Sequence, residues 1–196
     1  MPHVHPARLL RASALILLAG FPLQGSPANS AALPRQVQQV VQNANLTCAV
    51  STPRGRPLTF DPPLSLIQDT ITMHGRLALT DCTTRNKKLK QLRSGQFAFN
   101  GSSKSTCTSA QAIHGQGTIT WHDAHGHTIG TSTLRPTLRH ITTYNPGDVL
   151  LGGTVTRGLM SGARVAGSAT PTSNVSGCLL GGLHSIQGSG KVTFRA

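Results

Sequence analysis

The sequence predicts an all-β fold: an antiparallel sandwich or barrel of about eight to nine strands with one short N-terminal helix. Three observations predict it. Short apolar/polar alternations of period two recur from Leu46 to the C-terminal residues, punctuated about every 8–12 residues by Gly, Pro, Asn and Asp clusters. Charged residues make up only 12% of the chain and there are 21 glycines, so polar character comes mainly from Thr, Ser, Asn and Gln, which suits strands and turns better than helices. All four cysteines, Cys48, Cys82, Cys107 and Cys178, follow a leader-like start, and an even count in an exported chain predicts two disulfides.

The leader is residues 1–32. Arg8 and Arg11 form a positive start, Ala12 to Gly20 is an apolar run, and small residues between Ala28 and Ala32 offer a signal-peptidase site. The run is too short to span a bilayer, and no later stretch is long and apolar enough, so no transmembrane segment is expected in the mature chain. Pro34 to Asn43 places Val37, Val40 and Val41 at i, i+3 and i+4 behind a proline suited to a first helical turn. Residues 33–45 therefore read as a short helical segment, and 46–196 as a single β domain.

The cleanest strand has Ile71, Met73, Leu77 and Leu79 alternating with Thr72, His74, Arg76 and Thr80. Gly75 in its middle predicts a bulge or a close approach by another backbone. Asp61-Pro62-Pro63 argues against a central strand there, because proline has no ladder donor. Phe97 and Phe99 alternate in the next strand, expected to end near the turn signal Asn100-Gly101. A hairpin follows, with Ile119 and Trp121 on one face, Thr118, Thr120 and His122 on the other, and Asp123-Ala124-His125-Gly126 as its turn. The only Trp of the chain gives this hairpin the largest apolar side chain available to a core. Its second arm runs on through Leu134, Leu138 and Ile141, with Pro136 at an edge or bend. Asn145 to Asp148 is a turn, Leu151, Val155 and Val165 flank a Gly-rich hairpin connection, Thr170 to Gly177 is loop, and Val192 and Phe194 lie in the closing strand.

Register predicts the disulfide pairing. Opposed residues of a hairpin have numbers with a constant sum, and Cys48 with Cys82 centres a turn on Ser65, inside the proline-rich segment. Cys107 and Cys178 are then left to pair. Zinc is disfavoured, since no two cysteines have the close spacing of structural zinc sites.

The charge balance is one-sided: 18 Lys and Arg against 5 acids, all of them Asp, for a net +13, or +11 once Arg8 and Arg11 leave with the leader. Such a field favours an anionic surface or polymer as partner. The densest basic run, Arg85, Lys87, Lys88, Lys90 and Arg93, is the candidate anion-binding segment. It holds no aromatic residue, which argues against specific nucleic-acid binding by base stacking. His122, His125 and His127 are the candidate metal ligands, with Asp123 to orient a ring, because neutral imidazoles bind Zn²⁺ or Cu²⁺. A catalytic zinc site also wants a general base, usually Glu, and the chain has none, so no cofactor is expected. There is no Gly-x-Ser-x-Gly elbow and no P-loop, and paired cysteines leave no thiol nucleophile. Three N-x-S/T triplets start at Asn45, Asn100 and Asn174 and mark exposed, turn-prone sequence.

Several pieces carry a resemblance: Leu46-Thr47-Cys48, the run from Ser94 to Gly101, Gly115 to Trp121, Gly153 to Val165, and Gly188 to Phe194. Together they resemble small exported Gly/Thr-rich β-proteins of filamentous actinomycetes, over most of the chain after Asn45. The resemblance implies export, β-structure and paired cysteines, and it implies no functional residue. The expectation is a secreted, non-catalytic β-domain protein that is surface-associated or binds a ligand. The alternatives are a metal-dependent enzyme using the His122/His125/His127 hairpin and a barrel with a small-ligand cavity. With 37% hydrophobic residues, most inward positions of a barrel are expected to be needed for core filling.

Overall fold

The computed structural model describes residues 46–137, 140–142 and 149–195. The leader and helix expected over 1–45, Leu138, and the Asn145 to Asp148 turn lie outside the described residues.

The strands are β1 (Leu46–Ser51), β2 (Leu58–Leu64), β3 (Asp69–Thr83), β4 (Ser94–Ser105), β5 (Ser109–His122), β6 (Thr128–Pro136), β7 (His140–Thr142), β8 (Val149–Gly158), β9 (Arg164–Pro171), β10 (Leu183–Ile186) and β11 (Gly188–Arg195). A 3₁₀ turn, Lys87–Leu89, and a one-turn helix, Gly177–Leu180, are the other regular elements among the described residues. In sheet order β3, β4, β5, β6, β8, β9 and β11 follow one another, and β1 lies between β11 and β3. That closes an eight-stranded antiparallel barrel, the smaller-strand-count limit at which an interior is either filled or holds one small ligand.

Three further strands are added at one end. β7 continues the line of β6 along β5, with Ala110↔Ile141 in the same register as Ile119↔Ser132. β2 follows β1 along the same edge of β3: β1 faces Ala78 to Thr83 and β2 faces Thr72 to His74. β10 then pairs with the outer side of β2. This corrects the reading of Asp61-Pro62-Pro63 as a strand breaker. Pairing with β3 stops at Asp61, and the pairing with β10 shifts between Leu64 and Thr59, so the prolines sit where no ladder donor is required. A second correction concerns Asn100-Gly101, which is not a turn, since β4 runs straight through it opposite Gln116 and Gly115. A Cβ on Gly101 would stand 2.6 Å from the His114 carbonyl, so this glycine serves close backbone packing.

Gly75 is a close-approach site, as its place in the strand pattern suggests. The side chain of Leu58 fills the space where its Cβ would be, at 2.5 Å. Both disulfides form with the register-derived pairing, Cys48–Cys82 and Cys107–Cys178. Thr47↔Thr83 sums to the constant used for the first pair, although β2 is inserted in the connection. Two disulfides are consistent with an oxidising environment.

The two ends of the barrel differ. At one lie the 84–93, 123–127 and 159–163 connections, and Leu89, Leu92, Leu159, Met160 and Ala163 from the first and last of them pack onto the core; it is called the closed end below. Trp121, Phe194, Leu46 and Cys48 are fully buried there, with Trp121 and Phe194 edge to face at 5.4 Å. Trp121 Nε1 donates to Ser132 Oγ at 2.8 Å, and Ser132 in turn donates to the Leu159 carbonyl, so the buried indole N–H has a partner. At the other, open end, β2, β10 and the Gly177–Leu180 helix build a second apolar cluster around Cys178, Leu183 and Ile186.

Candidate functional site

From Phe97 onward, inward side chains shrink along β4 toward the open end. Phe97 and Phe99 stack at 5.3 Å, and beyond them come Gly101, Ser103 and Ser105. On β5 the corresponding sequence is Trp121, Ile119, Gly117 and Gly115. Small residues facing one another cannot fill the barrel, and a cavity of about 300 Å³ results. This overturns the expectation that most inward positions are needed for core filling: it holds in the closed half and fails in the open one.

The cavity lies between the two apolar clusters. Leu77, Leu79, Ile119 and Val192 of the barrel core form its floor, and Leu58, Phe60, Leu64, Leu183 and Ile186 form a wall. Its polar groups are grouped on the β4–β5 side, where Ser103 and Ser105 hydroxyls lie 2.6 Å apart and those of Thr106 and Ser109 2.9 Å apart. Among the described residues His114, itself exposed and opposite Ser102, is the one lining residue of a titratable type, and no Asp, Glu, Lys or Arg lines the cavity. The Cys107–Cys178 disulfide also lines the cavity and ties the β4–β5 turn to the one-turn helix. The Cys107 N–H donates to the Ser65 carbonyl at 2.9 Å, which brings in the β2–β3 turn. The exposed large apolar residues Leu66, Ile67, Leu179 and Leu180 all sit on these joined segments.

The histidine hairpin is at the opposite, closed end. Its turn is organised by Asp123, whose Oδ1 accepts from the backbone N–H groups of His125 at 2.8 Å and His127 at 2.9 Å. Gly126 adopts φ +83°, the left-handed conformation this turn requires. Desolvation raises the Asp123 pKa, but the His127 and His125 backbone N–H bonds and the His127 side chain outweigh it and hold the carboxyl below its ordinary value. His127 Nδ1 lies 3.3 Å from Asp123 Oδ2, and the His125 and His127 rings are 6.0 Å apart. His122 turns instead to Thr128 Oγ1, at 3.4 Å. The candidate ligands are thus divided between two arrangements, and among the described residues no three His, Cys, Asp or Glu side chains converge as a metal would need.

Arg85, Lys87, Lys88, Lys90 and Arg93 are all exposed on the β3–β4 connection. The same connection carries Leu92, only 2% exposed in the barrel core, with Leu89 packed against that core. The loop is therefore a plug with a cationic outer side. It is fixed by the Cys82 N–H donating to the Arg93 carbonyl and the Arg93 N–H donating to the His122 carbonyl. Among the described residues no helix is long and apolar enough to cross a membrane. No protein-family model, curated protein or solved structure matches the chain.

Sequence reasoning missed the cavity lining and the plug. The signal for the first was present in the run of Gly101, Ser103 and Ser105 at inward positions, and for the second in the two leucines spaced i, i+3 within the basic run.

Proposed function

We propose that this protein is an exported, non-catalytic binding protein whose barrel takes up a small, uncharged, mainly apolar molecule. The observation that carries the reading is the cavity of about 300 Å³ between two apolar clusters, within the size range of small-molecule sites and lined as they are, by apolar side chains with a few grouped polar ones. A charged ligand would be left unpaired against Leu77, Ile119 and Phe97, whereas a single hydroxyl or carbonyl finds partners at Ser103, Ser105, Thr106 or Ser109. The same lining supports binding over catalysis, since among the described residues it brings no carboxylate to His114. Export is supported by the leader-like start, the two disulfides and the resemblance to small exported β-proteins.

The test uses 1-N-phenylnaphthylamine, a neutral apolar fluorophore. Saturable, one-to-one fluorescence enhancement is expected. Ser103→Phe projects a ring into the cavity and is expected to weaken binding at least tenfold while keeping a cooperative unfolding transition. Lys88→Gln, on the outer side of the plug, is expected to bind as wild type. A lack of saturable binding, or undiminished binding by folded Ser103→Phe, refutes the reading.

A further inference from the structure

The closed end gathers charge that is far apart in sequence. The plug contributes Arg85, Lys87, Lys88, Lys90 and Arg93. Strand ends on the other side of the rim contribute Arg157, Arg164 and Arg195. Among the described residues two side-chain carboxylates share this end, Asp123, engaged within its own turn, and Asp81, which accepts from Thr80 Oγ1.

The rim is continuous. Thr193, Thr47 and Thr83 stand level across β11, β1 and β3, with the Thr47 and Thr193 hydroxyls 3.3 Å apart on the outer face. Arg195 lies two residues beyond Thr193 on β11, and the plug that carries Arg85 begins just beyond Thr83 on β3, at the same end of the barrel. On the other side Arg195 stands directly opposite Arg164. Like charges directly opposed on neighbouring strands destabilise a sheet. Arg195 Nε is moreover a buried donor with no hydrogen-bond partner. That nitrogen is closed off from solvent, so it is the opposition of the two guanidinium charges that an anion held between Arg164 and Arg195 would relieve.

We propose that the closed end is a docking face for a soluble, linear polyanion whose charged groups repeat along a flexible chain without aromatic bases. Charge complementarity carries the choice of partner. Among the described residues the exposed large apolar side chains, Leu66, Ile67, Leu179 and Leu180, are all at the open end, and none offers the cationic face an apolar anchor of the kind that seats a protein in a bilayer. No aromatic side chain lies within the plug's basic run, so bases have no platform there on which to stack. Arg195 and Arg164 form the fixed subsite, and the plug lysines track the chain beyond it.

The experiment measures binding of the full secreted chain to long-chain inorganic polyphosphate and to polygalacturonate, over a range of salt. The two probes distinguish phosphate from carboxylate as the recognised group, and saturable, salt-sensitive binding to either supports the face. The triple variant Lys87→Gln, Lys88→Gln, Lys90→Gln is expected to lose at least tenfold in affinity and to flatten the log–log salt slope by about 2. Arg195→Gln is expected to weaken binding severalfold with Arg164 in place. Arg54→Gln with Arg56→Gln, on the exposed β1–β2 connection, is expected to change it less than twofold. Equal losses from the Arg54/Arg56 pair and the plug triple would mean diffuse attraction and would refute a built face. Tighter binding to anionic phospholipid vesicles, or to single-stranded oligonucleotides, than to both base-free polymers would refute the choice of partner. Ser103→Phe leaves polyanion binding unchanged under this proposal, so failure of the cavity reading and failure of the cationic face are separately visible.

Discussion

The same strands that make a filled interior at one end of the barrel make a hollow one at the other. β4 and β5 run the length of both halves, and the difference is the size of what they point inward. Trp121, Ile119 and Phe97 occupy the closed half, while Gly101, Ser103, Ser105 and Gly115 border the open one. Barrel closure is thus a property of backbone pairing, and cavity formation a separate property of side-chain volume. One half can be tuned for stability and the other for a ligand without altering topology.

Three measurements sharpen that comparison, beginning with the largest effect. Trp121→Ala removes a fully buried indole and orphans Ser132 Oγ as an acceptor, so it is expected to cost about 3–5 kcal/mol and to lower the melting temperature by about 10 °C. Phe99→Ala, beside the cavity, is expected to cost less than half of that, because its ring already borders empty space. Equal costs in thermal denaturation would erase the distinction between a packed and a hollow half.

The disulfides give the next contrast. Replacing Cys107 and Cys178 by Ser opens a loop of sequence separation 71 and is expected to cost about 4 kcal/mol in the chain-entropy model, together with most of the affinity for phenylnaphthylamine. Replacing Cys48 and Cys82, with separation 34, removes nearly as much loop entropy and also loosens a fully buried contact, yet it leaves the cavity wall in place. Urea denaturation and dye titration on both double variants check the split. Loss of dye binding in the Cys48/Cys82 variant alone would contradict it.

The smallest effect is pH dependence at the histidine turn. Asp123 is held below the ordinary carboxylate value of about 3.9 in the folded chain. Its contribution to stability is therefore fully present above that unfolded value and is lost as pH falls through the lower, folded one. Acid titration followed by amide NMR is expected to shift His125 and His127 together in this window and to leave Trp121 and Ser103 unmoved. Asp123→Asn is expected to abolish the transition.

Much of the barrel was legible because its strands obey period-two alternation: Ile71, Leu77 and Leu79 are buried in the order the pattern implies. The disulfide pairing was legible because register is arithmetic. What escaped was the local exception. Pro62 and Pro63 break a ladder only if a partner needs their N–H, and the sequence does not show the register shift that spares them. Leu89 and Leu92 sit among five basic residues, where periodicity is dominated by charge and a plug looks like a solvated loop. The cavity escaped because it depends on small residues falling opposite one another on neighbouring strands, a coincidence of Gly101 with Gly115 that only the β4–β5 register reveals. The cationic face depends likewise on Arg164 meeting Arg195, 31 residues apart in sequence.

The placing of β1 between β11 and β3 has a consequence for how the chain folds. The meander from β3 to β6 is built from neighbouring segments and can assemble early, whereas Leu46 must find Phe194 across nearly the whole described sequence. Contacts of such separation form slowly, since loop-closure entropy precedes any reward. Until β1 is seated, the meander has two bare edges, on β3 and on β11, each a template for pairing with another chain. A single six-residue strand, LTCAVS, heals both at once. A polar substitution at Leu46 or Val50, which weakens the seating of this strand, is therefore expected to expose both edges at once and to raise aggregation during refolding, as light scattering would measure.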